Sequence, residues 1–242
     1  VDPRPSMYLP VDPHERQRSG GEKIRVANWI VRAIAAIAEH EGDQILFHRL
    51  FVPVGQGDIL PVEGGSEIAD YFTTTLLEEM PSEEASWHRH FELNETSLLA
   101  ALPPAAVLVV ISDLYFEELD GRFQETLLQA QQSYREVVLV HLDSWPAERS
   151  IISQGTSRIE SVEDIALYDG PVEPDEVYLD EVGHRIERHV RRILDDAQAG
   201  GLVVESWVWP ENFESLSEHV REEFESKFLE SHGLRSIFAK LT

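Results

Sequence analysis

Hydrophobic residues along this chain follow helical and strand patterns in turn. Residues 22–39 carry apolar side chains at helical spacing and Gly42 follows them, so this stretch is predicted to form an amphipathic helix. Residues 105–112 consist of Ala, Val, Leu and Ile up to a closing Ser112. Such a run is typical of a strand that is buried on both faces. We therefore expect it at the centre of a sheet.

The remaining strands and helices are predicted from the same two periodicities. The expected strands cover residues 44–52, 136–142 and 202–209, with a short edge strand at 58–63. The expected helices cover residues 66–80, 116–134, 177–199 and 212–230. Alternation of strands and helices is typical of an α/β domain whose doubly wound, mostly parallel sheet carries helices on both faces. We expect residues 1–242 to form one such domain.

Two polar stretches interrupt the alternation. Residues 81–93 are predicted to form a loop or a short helix. Residues 143–176 form an acidic excursion between a strand and a long helix, and the stretch 160–181 holds nine acidic residues with no lysine or arginine. Such a run is predicted to be a solvated surface, with an acidic surface for a partner as the alternative.

Composition excludes several classes of function. The net charge of −25, from 45 acidic and 20 basic residues, repels phosphate backbones and anionic headgroups, so nucleic acid and membranes are not expected partners. The sequence has no cysteine and therefore no disulfide or zinc-thiolate site. It shows neither an apolar run of about 20 residues nor a signal peptide. We expect a soluble cytoplasmic protein, and the start at Val1, directly before Asp2, indicates a piece of a longer polypeptide.

Oxygen-bearing side chains are expected where the loops of such a sheet converge. Asp2 and Ser6 lie in the first loop, Thr96 begins a short helical turn, and Asp113 follows the central strand. In doubly wound sheets these loops form a crevice at the carboxyl ends of the strands. Carboxylate and hydroxyl oxygens suit Mg²⁺, which takes six hard ligands. Taken singly, Asp113 also fits a helix N-cap, Thr96 the start of a turn, and Asp2 an irregular terminus.

Together these residues resemble a known family. The D-x-x-x-S-M loop at residues 2–7, the T-S-L-L-A-A-L turn at 96–102 and the I-S-D strand end at 111–113 resemble the von Willebrand factor A-like domain of a bacterial family encoded beside MoxR-type AAA+ ATPases. The resemblance implies a metal-ion-dependent adhesion site formed by Asp2, Ser6, Thr96 and Asp113. It also implies a protein-binding adaptor or assembly factor for such an ATPase, with no small-molecule substrate.

Arg4 departs from the family's D-x-S-x-S loop, because it stands where that loop has its middle serine. A guanidinium has five donors, no acceptor and a permanent charge. It would repel a divalent ion by several kcal/mol. We therefore expect no cofactor or only weakly bound Mg²⁺, with Arg4 either turned away from the site or paired with Asp2 or Asp113. Arg4 would then lie in an exposed crevice and offer a bidentate fork to a carboxylate of the partner.

A metal-dependent hydrolase is the alternative interpretation. His88 and His90, together with the many carboxylates, could supply ligands to zinc or manganese. However, the H-x-H spacing matches no strong motif, and a nucleophile elbow, a P-loop and a G-x-G-x-x-G fingerprint are all absent from the sequence. The sequence therefore favours a binding module over an enzyme, and it does not identify the client.

Overall fold

The structure is a computed structural model that describes residues 1–8, 22–55, 61–76, 90–99, 106–116, 121–134, 136–154 and 175–209, together with residue 226. Several predictions fall partly or wholly outside these residues. They include nearly all of the last helix at 212–230, most of the polar stretch at 81–93, and residues 155–174 of the acidic excursion. Residues 58–60 of the edge strand, 77–80 of the second predicted helix, 100–102 of the predicted turn, residue 105 of the central strand, and 117–120 of the helix at 116–134 also lie outside them.

The described elements mix helices and strands along the chain, which places the protein in the α/β class. The helices are α1 (Glu22–Glu41), α2 (Gly65–Tyr71), α3 (Glu95–Leu99), α4 (Arg122–Ser133), α5 (Trp145–Gln154) and α6 (Glu176–Ala199), with a 3-10 turn at Pro5–Tyr8 and a π-helical turn at Phe72–Leu76. The strands are β1 (Leu46–Phe47), β2 (Phe51–Pro53), β3 (Val62–Glu63), β4 (Phe91–Leu93), β5 (Val107–Ser112), β6 (Glu136–Asp143) and β7 (Val203–Val208).

Strand β5 has hydrogen-bonded neighbours on both sides, as its apolar sequence predicts. On one side, β5, β6 and β7 form a parallel sheet in that order. On the other side, the Asp2 amide donates to the Ile111 carbonyl at 2.9 Å, and the Val1 carbonyl accepts from the Leu50 amide at 2.7 Å. Val1 and Asp2 therefore lie between β5 and residues 48–50. This position brings Asp2 to the carboxyl end of β5.

Side chains of β6 alternate between two apolar clusters, one on each face of the sheet. Val138 and Val140 pack with α1, whereas Val137 and Leu139 pack with α4 and α6. Each fully buried side chain of this kind contributes about 1.5–3 kcal/mol to folding. In the described residues, α1 therefore packs with one cluster and α4 and α6 pack with the other.

The prediction of one continuous strand over residues 44–52 was wrong. Two short strands stand there, because β1 pairs antiparallel with β3 while β2 pairs antiparallel with β4. Residues 48–50 between them bond to Val1 instead. Strand β4 also stands where a loop or helix was predicted, since Phe91 and Leu93 pack against the apolar cluster below them.

The long helices agree with prediction more closely. Helix α1 extends the predicted helix to Glu41, and α6 begins one residue before its predicted start. Its N-cap Asp175 accepts from the Tyr178 amide, as a good capping residue does. The helix predicted over 116–134 begins later, at Arg122. No helix in the described ranges has the length and apolar character needed to cross a membrane.

Candidate functional site

The predicted site residues divide into a buried group and one exposed residue. Asp2, Arg4, Ser6 and Asp113 are all buried, with at most 6% of their surface exposed. Arg4 contacts both aspartates, and Ser6 lies in the 3-10 turn that follows them. Thr96 is exposed on α3. Within the described residues, no hydrogen bond or ion pair joins Thr96 to the other four.

Asp2 is held by an arginine and a serine. Its Oδ1 accepts from the Arg4 amide and from Arg4 Nε, both at 3.0 Å. Its Oδ2 accepts from Arg4 Nη2 at 2.6 Å and from Ser112 Oγ at 2.7 Å. Of the two alternatives for Arg4, the structure shows the pairing with an aspartate, and both oxygens of Asp2 are already engaged.

Asp113 is held by a lysine that the sequence analysis did not select. Lys23 Nζ, in the first turn of α1, donates to Asp113 Oδ2 at 2.7 Å and to Glu148 Oε1 at 3.1 Å. Asp113 Oδ1 accepts from the Tyr115 amide at 3.1 Å and lies 3.7 Å from Arg4 Nη2. We call Asp2, Arg4, Lys23, Asp113 and Glu148 the buried ion cluster. Its two cations and three carboxylates come from four separate segments of the chain.

Aromatic rings enclose both cations of the buried ion cluster. The Arg4 guanidinium carbon lies 4.4 Å from the centre of the Phe51 ring and 4.6 Å from that of Phe116. Lys23 Nζ lies 4.4 Å from the centre of the Tyr115 ring. Cation–π contacts of this kind are stronger when the charge is removed from water. The rings therefore stabilise the cations where they also exclude solvent.

The turn after β5 is shaped by Ser112. Its Oγ donates to Asp2 and accepts from the Leu114 amide at 2.9 Å. Leu114 is fully buried with a φ of 61°, a left-handed conformation that costs a non-glycine residue free energy. The side-chain bonds from Ser112 and Asp113 to the following amides therefore hold a turn that this leucine would not adopt readily by itself.

The cluster also sets the protonation of its members. Burial alone would raise the pKa of Asp113, but the ammonium of Lys23 and the guanidinium of Arg4 outweigh it, so the pKa lies below its usual value. Burial alone would lower the pKa of Lys23, but Asp113 and Glu148 outweigh it and raise the pKa. Asp113 and Lys23 therefore stay charged at neutral pH.

These residues do not fit a divalent metal. Each carboxylate oxygen of Asp2 and Asp113 already accepts from an amide, a hydroxyl or a cationic side chain. A divalent ion would also meet the charges of Arg4 and Lys23 at short range, which would repel it strongly. No group of three or more histidine, aspartate or glutamate side chains suited to a metal occurs in the described ranges.

The expectation of an exposed crevice was wrong. Arg4 was expected to offer its guanidinium to a partner, yet its side chain is only 5% exposed and its guanidinium lies against the rings of Phe51 and Phe116. The physical reason is that Asp2 pairs with the guanidinium in the interior and two aromatic rings contact it, which offsets part of the cost of removing the charge from water.

The histidines of the alternative hypothesis are only partly described. His88 lies outside the described residues, and His90 is exposed just before β4. His184 is exposed on α6, while His189 is half-buried, with its ring centre 6.3 Å from that of Phe116.

Comparison with known proteins identified no relative: no protein-family model, no curated protein and no solved structure matches this chain.

Proposed function

We propose that this protein is a von Willebrand factor A-like interaction module whose metal-type site is held by its own cations. In this proposal it acts in the cytoplasm as an adaptor or assembly factor for a MoxR-type AAA+ ATPase. The observation that carries the proposal is the pairing of Asp2 and Asp113 with Arg4 and Lys23 at the carboxyl end of β5. The strand order and the motifs at residues 2–7, 96–102 and 111–113 support the same assignment.

In such a module, no metal ion bridges the site and the partner. In an adhesion site of the usual kind, a carboxylate of the partner completes the coordination of the cation. Here Arg4 and Lys23 neutralise the aspartates from within, so no coordination position is offered. The buried ion cluster fixes the first turn and the turn after β5, and it presents the surrounding surface in one conformation. Such preorganisation lowers the cost of binding.

Thr96 is the member of the predicted site that can touch a partner. Its side chain is exposed on α3, beside the buried Asn94 and Leu98 that anchor this helix to the core. Tyr134 Oη donates to the Leu98 carbonyl at 3.0 Å, which ties the same helix to the end of α4. A partner meeting this surface therefore meets a fixed helix.

The experiment is capture of the purified MoxR-type ATPase from the source organism on immobilised chain, without nucleotide, in buffer with Mg²⁺ and in buffer with EDTA. We expect equal capture in both buffers, because no metal takes part. Thr96→Arg should abolish capture, since a long cation replaces a small hydroxyl at the contact. Thr73→Arg is the matched control, because Thr73 is also exposed but lies on the π-helical turn.

Three results would contradict the proposal. Capture that disappears in EDTA would mean that a metal completes the site. Capture that Thr96→Arg leaves intact would show that the partner does not bind at the proposed surface. No capture at all would show that this ATPase is not the partner.

A further inference from the structure

A cavity of about 620 Å³ lies between α5, α6, the carboxyl end of β6 and strand β7. Its volume falls within the range of about 300–1,000 Å³ that small-molecule sites occupy. Much of its wall is apolar and comes from one side of α6 and from β7, namely Leu179, Ile186, Val190, Leu194 and Val204. These side chains offer contact area to an apolar body.

Trp145 stands at one end of this wall because α6 has a glycine opposite it. A Cβ atom on Gly183 would come within 2.6 Å of the indole Nε1, closer than packed atoms approach. The absence of a side chain at Gly183 thus lets the indole lie against α6. The Trp145 amide donates to Asp143 Oδ1 at 3.1 Å, so the backbone that carries the indole also orients the Asp143 carboxylate at the same cavity.

The Asp143 carboxylate has no cationic partner within 4 Å among the described residues. Burial raises its pKa, the Trp145 amide bond opposes this, and the nearby Glu148 raises the pKa further. The ammonium of Lys23 and the Tyr115 hydroxyl lower it, although Lys23 donates its own hydrogen bonds to Asp113 and Glu148. The arginines at the cavity are already paired: Arg149 bonds to Glu176 and Asp180 at 2.8 and 2.7 Å, and Arg191 to Glu187. The cavity therefore holds a half-buried carboxylate that forms no direct ion pair with a described residue.

The floor of the cavity adds no positive charge. His141 is 4% exposed, and its Nδ1 lies 3.1 Å from Ser206 Oγ. Burial lowers the pKa of His141 to about 4, so the ring is neutral at pH 7. An anionic ligand would thus meet a carboxylate, a neutral imidazole and arginines already bound to acids. A cationic ligand would meet the complementary charge.

We propose that this cavity binds a small organic cation, a primary amine that carries an apolar body. Its ammonium group pairs with the Asp143 carboxylate beside the Trp145 indole, and its apolar part packs against Ile186, Val190 and Leu194 of α6. Charge-assisted hydrogen bonds and cation–π attraction both favour an ammonium at such a position. This site is separate from the partner surface proposed above and does not depend on it.

The test uses three probes of similar shape and different charge: 2-phenylethylamine, 2-phenylethanol and 3-phenylpropionate. Binding to the full chain is measured by isothermal titration calorimetry at pH 7.5. We expect the amine to bind at least about tenfold more tightly than the alcohol, the size of effect that one charge-assisted hydrogen bond provides. The carboxylate should bind most weakly.

Two variants locate the binding. Asp143→Asn should remove the preference for the amine and leave the alcohol unchanged, whereas Asp70→Asn, on an exposed aspartate of α2, should leave all three unchanged. Gly183→Ala should weaken all three probes together, since it displaces the indole. Near-ultraviolet circular dichroism would verify that each variant is folded.

Several outcomes would overturn the proposal. They are binding of 3-phenylpropionate that equals or exceeds that of the amine, a preference for the amine over the alcohol that survives Asp143→Asn, and failure of all three probes to bind the unmodified chain.

Discussion

Lys23 Nζ and Asp113 Oδ2 lie 2.7 Å apart, although 90 residues separate them along the chain and neither side chain has any exposed surface. The pair joins the first turn of α1 to the turn after β5. Because removal of one partner leaves the other charged and buried, this contact dominates what substitution at the site should do.

Replacement of Lys23 by methionine should lower the free energy of unfolding by about 3–5 kcal/mol, since Asp113 would lose its closest cation. Urea denaturation measures the change. Arg32→Met is the control, because Arg32 is exposed on the same helix and its replacement should change the free energy of unfolding little. The double variant Lys23→Met, Asp113→Asn should be less destabilised than the two single changes combined. Strict additivity would mean that the pair is not coupled.

Magnesium binding should require two substitutions. We expect no binding by the unmodified chain, and none by Arg4→Ser, because Lys23 still occupies Asp113. The double variant Arg4→Ser, Lys23→Ala frees oxygens of both aspartates and should bind Mg²⁺ or Mn²⁺ in a calorimetric titration, with circular dichroism as the check on folding. Tight binding by the unmodified chain would show that the cations leave the cluster readily.

Acid should destabilise the protein through Asp113. Its pKa in the folded state lies below the unfolded value, because Lys23 and Arg4 outweigh the effect of burial. The stabilisation is therefore present above the unfolded pKa and is lost as pH falls through the folded one. Asp113→Asn should be less stable than the unmodified chain at pH 7 and should lose less on acidification. The free energy of unfolding of both proteins is measured from pH 7 to pH 2. If the two proteins lose stability in parallel over this range, Asp113 is not the group responsible.

Protonation of His141 should destabilise the fold at higher pH values than protonation of Asp113 does. Its folded pKa of about 4 lies below the value of about 6.5 expected when unfolded, so the unfolded chain takes up the proton first. Stability should then fall between about pH 6.5 and pH 4, by about 3 kcal/mol at most. His141→Gln should flatten this part of the profile, whereas the exposed His184→Gln should not. Identical slopes for the two variants would count against the assignment.

Ser112→Ala should cost about 1–3 kcal/mol, because a buried amide at Leu114 would lose its acceptor and Asp2 one of its donors. Chemical denaturation again gives the value. Ser66→Ala is the control, since the Ser66 hydroxyl is exposed and bonds only to the neighbouring Glu67 among the described residues. Similar losses for the two serines would show that the turn does not depend on Ser112.

Local patterns predicted the parts of the fold that depend on periodicity. The apolar run before Ser112 forms the strand with neighbours on both sides, and the helical spacing after residue 22 forms α1. The interruption of the strand at residues 48–50 was not predictable from periodicity, because it depends on Val1 taking the hydrogen bonds of that segment.

Charge patterns predicted the candidate site only in part. The attraction of Arg4 to Asp2 follows from their spacing and from the missing serine oxygen. Lys23 gave no comparable signal, since a lysine in the first turn of a helix is normally solvent-exposed and only the packing of α1 against the sheet brings it to Asp113. Burial of the whole group likewise follows from the rings of Phe51, Tyr115 and Phe116, which no local pattern places beside the cations.

A covalently attached ammonium differs from a dissolved ion in its thermodynamics. A dissociable cation stabilises a folded protein by an amount that rises with its free concentration. Lys23 reaches Asp113 through the backbone of α1, so its effective concentration at the carboxylate is a constant of the fold. A chelator, or a change in the concentration of divalent ions, therefore cannot remove this cation from the carboxyl end of β5. The polypeptide itself supplies the charge that holds the adjoining turns.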